Sequence, residues 1–174
     1  MSSINYDLTQ IKGIAFDVDG VLSPSVIPMH PNGEPMRCVS IKDGYALQLA
    51  VKCGYKIAII TGAKTDAVKK RFEGLGIQDV ILGASVKITH FNEWLERTGL
   101  KPEEVAYVGD DIPDLEVMNV VGLPIAPADA AVEVKAVAKY ISPYNGGYGV
   151  GREIVEQIMK AKGDWLADKK AFGW

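Results

Sequence analysis

The stretch Gly13-Ile14-Ala15-Phe16-Asp17-Val18-Asp19-Gly20-Val21-Leu22 decides the fold. An apolar run suited to a buried parallel strand ends in two carboxylates and a glycine, for which a core strand has no use. Asp17 and Asp19 are two apart, so in an extended chain they project from the same side. Two unit charges about 4 Å apart repel by roughly 4 kcal/mol at an effective dielectric near 20, which requires a bound cation, a shared proton or both. An oxygen-only site with few protein ligands and room for phosphate suits Mg²⁺. By itself an Asp-x-Asp is equally at home in a solvated acidic turn, so the rest of the chain must decide.

The length of 174 residues predicts one domain, 1–174, with a core that needs no disulfide. A hydrophobic fraction of 48% with 24% charged residues is that of a globular protein. The net charge of −3 argues against a nucleic-acid or anionic-membrane surface. Cys38 and Cys53 have no metal-ligand spacing and read as reduced thiols. With no signal-like N-terminus and no apolar run long enough to span a bilayer, a cytoplasmic protein is expected.

In chain order, residues 11–16 are the first predicted strand. Residues 24–41 then read as a hairpin that leaves the main sheet, two short β-like runs around Asn32-Gly33, with Met29 and Met36 expected to pack. Asp43 is placed as the cap of a helix to about Lys52, and Lys56-Ile57-Ala58-Ile59-Ile60 is a buried strand ending in Thr61-Gly62. A helix over about 65–75 and a strand at 80–82 follow. Lys87 leads into a helix whose Ile88, Phe91, Trp94 and Leu95 recur at helical spacing, with Trp94 in the core. Val105-Ala106-Tyr107-Val108 is a strand ending in Gly109-Asp110-Asp111. Helices at 115–121 and 128–138, strands at 123–126 and 140–142, and a glycine-rich segment before a last helix to about Lys162 complete the pattern, with 144–174 forming a tail. Alternating strands and helices predict a mainly parallel α/β sheet with helices on both faces. Ligands bind beyond the carboxyl ends of such strands, so three polar endings far apart in sequence converge on one rim.

These residues resemble the four motifs of the haloacid dehalogenase-like phosphatase superfamily, in order: Asp17-Val18-Asp19-Gly20-Val21, Thr61-Gly62, Lys87, and Gly109-Asp110-Asp111-Ile112-Pro113-Asp114. From about Ile11 to Gly146-Gly147-Tyr148-Gly149-Val150-Gly151-Arg152-Glu153 the layout resembles the capless subgroup that contains 3-deoxy-D-manno-octulosonate 8-phosphate phosphatase. The resemblance implies a Rossmann-like fold without a cap domain, in keeping with intervals after Gly20 and Thr61 too short to hold one.

It also implies roles. Asp17 attacks phosphorus to form an aspartyl-phosphate. Asp19 gives a proton to the leaving alkoxide and takes one from the attacking water. Mg²⁺ is held by Asp17, Asp110 and the backbone carbonyl of Asp19. Thr61 and Gly62 bind phosphate oxygens, and Lys87 adds charge that also steadies Asp17. Asp111 and Asp114 stand behind the ligands or cap a helix. Lys69, Lys70 and Arg71 are ordinarily a solvated helix face, yet their helix begins at the Thr61 loop, and Arg71 is the choice for a substrate carboxylate. His30 and His90 receive no catalytic role.

Relatives of this subgroup are tetramers joined through such hairpins, which implies a homotetramer in which Arg152 binds an anion at a neighbouring site; alternatively Arg152 is a surface residue opening the last helix. The expected reaction is release of phosphate from 3-deoxy-D-manno-octulosonate 8-phosphate, for lipopolysaccharide synthesis. Ala63 and Lys64 stand where octulosonate-acting members often carry a basic residue directly after Thr-Gly, which keeps a nine-carbon 2-keto-3-deoxy sugar acid phosphate in contention. A receiver-like phosphoacceptor also uses a strand-end Asp, acids, Thr and Lys around Mg²⁺; the acid two residues after the nucleophile argues instead for turnover. A third reading, a silent tetramer-forming module, is opposed by intact Asp17, Asp19, Lys87 and Asp110.

Overall fold

Strand β1 (Gly13–Phe16) is buried along its whole length and lies inside a six-stranded, all-parallel sheet. The computed structural model describes residues 4–173. The other strands are β2 (Lys56–Ile60), β3 (Asp79–Ile81), β4 (Val105–Val108), β5 (Leu123–Ala126) and β6 (Tyr140–Ile141), in the order β3-β2-β1-β4-β5-β6. The order reverses between β1 and β4, and a crevice opens at such a reversal beyond the strand ends. Register aligns Phe16 with Ile59 of β2 and Val108 of β4, so the chain after each strand emerges at one level.

The α-helices among the described residues are α1 (Ile41–Lys52), α2 (Asp66–Glu73), α3 (Lys87–Thr98), α4 (Leu115–Met118), α5 (Val132–Val137) and α6 (Val150–Lys162). Strand alternation divides the core. Ile14, Phe16, Ile57, Ile59, Ala106 and Val108 face α1, α2 and α6, whereas Ala15, Ala58, Ile60, Val105 and Tyr107 face α3, α4 and α5. On the second face the small Ala15 and Ala58 sit in one cluster with the rings of Phe91, Trp94 and Tyr107. Trp94 is fully buried and its Nε1 donates to Asp79, as a core residue should.

Several boundaries differ from expectation. Ser40 caps α1 and accepts from the Asp43 N–H, so Asp43 lies in the first turn rather than at the cap. The segment 127–131 is a turn, and α5 begins only at Val132; α4 stops at Met118. The predicted hairpin is reduced to one antiparallel bridge, Met29 to Pro35, closed by Gly33 N–H to the His30 carbonyl at 2.8 Å. Proline cannot donate to a ladder, and Pro28, Pro31 and Pro35 interrupt both arms. Met29 and Met36 do not pack within the chain: they are 63% and 45% exposed. No other domain interrupts the course from β1 to α1 or from β2 to α3 among the described residues.

Candidate active site

The polar strand endings converge. Asp17 follows β1, is 8% exposed, and accepts from the Val18 N–H at 2.6 Å. Its Oδ2 lies 2.6 Å from Lys87 Nζ, which opens α3 and also stands 2.7 Å from Oδ1 of Asp114. Asp114 is fully buried, and its Oδ1 also takes the Tyr107 hydroxyl at 2.6 Å. Its Oδ2 accepts the N–H groups of Asp110 and Asp111, at 3.0 and 3.3 Å. Both Asp114 oxygens are therefore committed to organising the loop after β4. Asp110 differs: its Oδ1 is buried without a partner. One oxygen from each of Asp17, Asp110 and Asp114 falls within a 4.8 Å cluster. Because Asp114 is saturated, Asp17 and Asp110 are the two carboxylates with oxygens left for a cation.

The electrostatics agree. Burial, then the charge of Asp114, pushes Asp17 up to about 6. Burial, then the charge of Asp17, pushes Asp110 up to about 8. Burial opposes the charged form of Lys87, but Asp17 and Asp114 outweigh it and raise the ammonium above its usual value. Burial followed by Asp114 raises the Tyr107 phenol well above its ordinary value, so Tyr107 stays a neutral donor. Carboxyls raised in this way by burial and by neighbouring negative charge are what a hard cation relieves, and the orphaned Asp110 oxygen fits Mg²⁺.

Gly20 is the tightest point of the turn. Its φ of +84° lies in the left-handed region, and a Cβ there would stand 1.9 Å from Asp110 Oδ2. Only glycine lets the backbone pass so near that carboxylate.

A cavity of about 420 Å³ is lined by Asp17, Asp19, Thr61, Gly62, Lys87 and Asp110. Thr61 is buried beyond β2, and the backbone of Gly62 is open, with nothing within 4 Å of the point a Cβ would occupy. Asp111 lies on the same rim, exposed. A second cavity, about 380 Å³, borders Val18 and is lined by His30, Glu34, Met36, Arg37 and Arg71 among others. Arg71 therefore faces this neighbouring space rather than the Asp17 cavity. Its Nε and one terminal nitrogen are buried and unpartnered, and a Cβ on Gly44 would come within 2.3 Å of the guanidinium. Arg152 is in neither cavity: it bonds Glu156 at 2.8 Å and lies over the rings of Trp165 and Tyr45, 4.6 and 5.5 Å from their centroids. His90 lies away from both cavities, beside Glu93 on α3.

Sequence reasoning missed Arg37 and Tyr107. Arg37 grips Asp19 with two parallel bonds, Nε to Oδ1 at 2.6 Å and Nη2 to Oδ2 at 2.7 Å. It is the one guanidinium in residues 24–41 and the arginine nearest to Asp19 along the chain. Tyr107 carries the polar tip on an otherwise apolar strand.

A sequence model of haloacid dehalogenase-like hydrolases matches residues 79–154. The 3-deoxy-D-manno-octulosonate 8-phosphate phosphatase KdsC of Escherichia coli K12 is 40% identical over 153 residues, 88% of this chain and 81% of the enzyme. The corresponding phosphatase of Moraxella catarrhalis, solved with a magnesium ion, a phosphate ion and KDO, superposes with a TM-score of 0.89 at 34% identity, covering 96% of each chain. That of Yersinia pestis gives 0.87 at 35% identity, covering 91% of this chain and 85% of the other. The order of the strands, the carboxylates around Lys87 and these likenesses agree: the chain belongs to the haloacid dehalogenase-like hydrolases, in the family of 3-deoxy-D-manno-octulosonate 8-phosphate phosphatases.

Proposed function

We propose that the protein is a Mg²⁺-dependent phosphatase that converts 3-deoxy-D-manno-octulosonate 8-phosphate to the free sugar acid and phosphate. The observation that carries this is the pair of raised carboxylates, Asp17 and Asp110, beside Lys87, with one Asp110 oxygen left unpartnered. Asp17, Asp110 and the Asp19 backbone carbonyl would hold Mg²⁺, which supplies positive charge between an anionic nucleophile and an anionic phosphate.

Asp17 forms a bond to phosphorus as the sugar oxygen–phosphorus bond breaks, and Asp19 protonates the departing alkoxide. Water then attacks the aspartyl-phosphate and loses its proton to Asp19, and breaking of the Asp17–phosphorus bond releases inorganic phosphate. Lys87 holds the Asp17 oxygen in line and offsets charge on the phosphoryl group, while Thr61 and the Gly62 N–H take its remaining oxygens. Asp114, with Tyr107, fixes Lys87 and the Asp110 loop from behind, and Asp111 adds its N–H to the same carboxylate.

The sugar carboxylate takes the second cavity, where Arg71 carries unsatisfied donors and Arg37 stands alongside. Arg152, held by Glu156 and outside both of these cavities, would bind an anion of a neighbouring subunit's site. The segment at 24–41 exposes Val26 and Met29, and Ile41 at its end is 64% exposed, an apolar set suited to joining four subunits of a homotetramer. No helix among the described residues is long and apolar enough to cross a membrane, and both cysteines are free, as cytoplasmic work allows.

The deciding experiment is phosphate release, with Mg²⁺, from the eight-carbon and nine-carbon 2-keto-3-deoxy sugar acid phosphates in parallel, with Asp17→Asn as control. Preference for the eight-carbon substrate is expected. Nine-carbon preference would keep the chemistry and change the substrate, and stable labelling of Asp17 by acetyl phosphate without sugar phosphate turnover would replace the enzyme by a receiver-like phosphoacceptor.

A further inference from the structure

The glycine-rich segment 144–151 takes no part in the chemistry above, yet it lies directly behind the Asp19-Gly20 turn. The Gly147 N–H donates to the Val21 carbonyl at 2.8 Å. A Cβ on Gly146 would stand 1.9 Å from the Gly20 carbonyl oxygen and 3.1 Å from its Cα. On its other side the Gly20 backbone meets the Asp110 carboxylate, where a Cβ would be 1.9 Å away. Gly20 is thus pressed between the Asp110 carboxylate, placed to hold metal, and the backbone of Gly146, which abuts its carbonyl.

The segment is tied down at its back. Asp129 Oδ1 accepts the Gly146 N–H at 2.9 Å, and the Ala128 N–H donates to the Tyr144 carbonyl at 2.9 Å. The same loop holds Asp110, through the Ala131 N–H to the Asp110 carbonyl at 2.8 Å. Contacts therefore close into a ring: Asp110, Gly20, Gly146, Asp129, Ala131 and back to Asp110. Beyond it, the buried Asp43 of α1 accepts the Arg152 N–H at 2.9 Å and anchors the first turn of α6.

We infer that Gly146 and Asp129 are positioning residues: the strap they form is a backstop that fixes Gly20 against Asp110, and with it the adjoining Asp19, its backbone carbonyl and its acid–base side chain. This rests on the assignment of Asp17, Asp19 and Asp110 to a Mg²⁺ site. The physical reason is that reacting groups displaced by about 1 Å can lose about 10²-fold in rate. A turn of chain built around a left-handed glycine has no packing side chain of its own at that point, so the strap supplies the stiffness.

The test compares Asp129→Ala, which removes the acceptor for the Gly146 N–H, with Asp129→Asn, which keeps an oxygen there. Mg²⁺ affinity is read by calorimetry on the full chain without substrate, and kcat and KM are read with both the octulosonate phosphate and p-nitrophenyl phosphate. Asp129→Ala should weaken Mg²⁺ binding and lower kcat, by roughly 3- to 10-fold each, with KM for the sugar phosphate little changed. Asp129→Asn should recover both. Gly146→Ala should lose more than Asp129→Ala, because its Cβ collides with backbone. Wild-type Mg²⁺ affinity and kcat in Asp129→Ala would overturn the inference whatever its melting temperature, as would an Asp129→Asn variant as impaired as the alanine. Should the wild type hydrolyse p-nitrophenyl phosphate and not the sugar phosphate, the substrate assignment falls while calorimetry and the aryl phosphate still decide the strap.

Discussion

At the scale of single residues the site is a contest between burial and charge, and its outcome depends on pH. Asp17 and Asp110 are raised to about 6 and about 8 without metal, above the carboxylate range of the unfolded chain. The folded protein therefore holds protons that the unfolded chain releases, and this contribution to stability is present at acid pH and lost as pH rises through about 6 and then about 8. Mg²⁺ must displace those protons. The rise in melting temperature on adding Mg²⁺ should accordingly be small below about pH 6 and largest above about pH 8, measured by thermal unfolding with and without the ion. Asp17→Asn removes the proposed nucleophile and should cut phosphate release by about three orders of magnitude or more while circular dichroism shows an unchanged fold. Lys87→Met leaves the buried Asp17 and Asp114 without their shared cation, and a loss of about 3–5 kcal/mol in urea unfolding is expected in metal-free buffer.

At the scale of elements, the side chains to which we assign catalysis sit where strands stop and helices start. Lys87 is the first residue of α3, and α3 is fixed to the sheet by Phe91 and Trp94, both fully buried. Trp94→Ala should cost about 3–5 kcal/mol in urea unfolding, through lost packing and a cavity beneath the helix that carries Lys87. Much of this level was readable from sequence, because an apolar run interrupted by Asp, Thr-Gly or Gly-Asp-Asp marks both the strand and its end. The 24–41 segment was less readable. Its alternation and Asn-Gly turn suggested strands, but prolines withhold the N–H groups a ladder needs, and only one bridge forms.

At the scale of the whole molecule, the sheet order brings residues from β1, β2 and β4 to one rim and leaves the site covered by no second domain among the described residues. An open site needs something to exclude water, and a neighbouring subunit would do so. In the proposed tetramer the exposed Val26 and Met29 would lie where subunits join. Met29→Asp combined with Val26→Asp should convert the proposed tetramer to smaller species in sedimentation velocity, and a tetramer that survives both changes would remove this segment from the interface.

The sequence by itself determined the fold class and brought out the groups at strand ends and at a helix start, Asp17, Asp19, Thr61, Asp110 and Lys87, because hydrophobic periodicity and its polar interruptions are local and chain order limits a parallel sheet to few topologies. Tertiary structure alone decided the rest. Asp114 organises the site because Tyr107 and Lys87 arrive from two different elements to saturate it. Arg37 faces Asp19 across a loop, and Arg152 is drawn to Glu156 and Trp165 rather than to the Asp17 cavity. Gly146 backs Gly20 from far along the chain. These are matters of which way a side chain points and which distant backbone it meets, set by packing of the whole chain rather than by any pattern within a few residues.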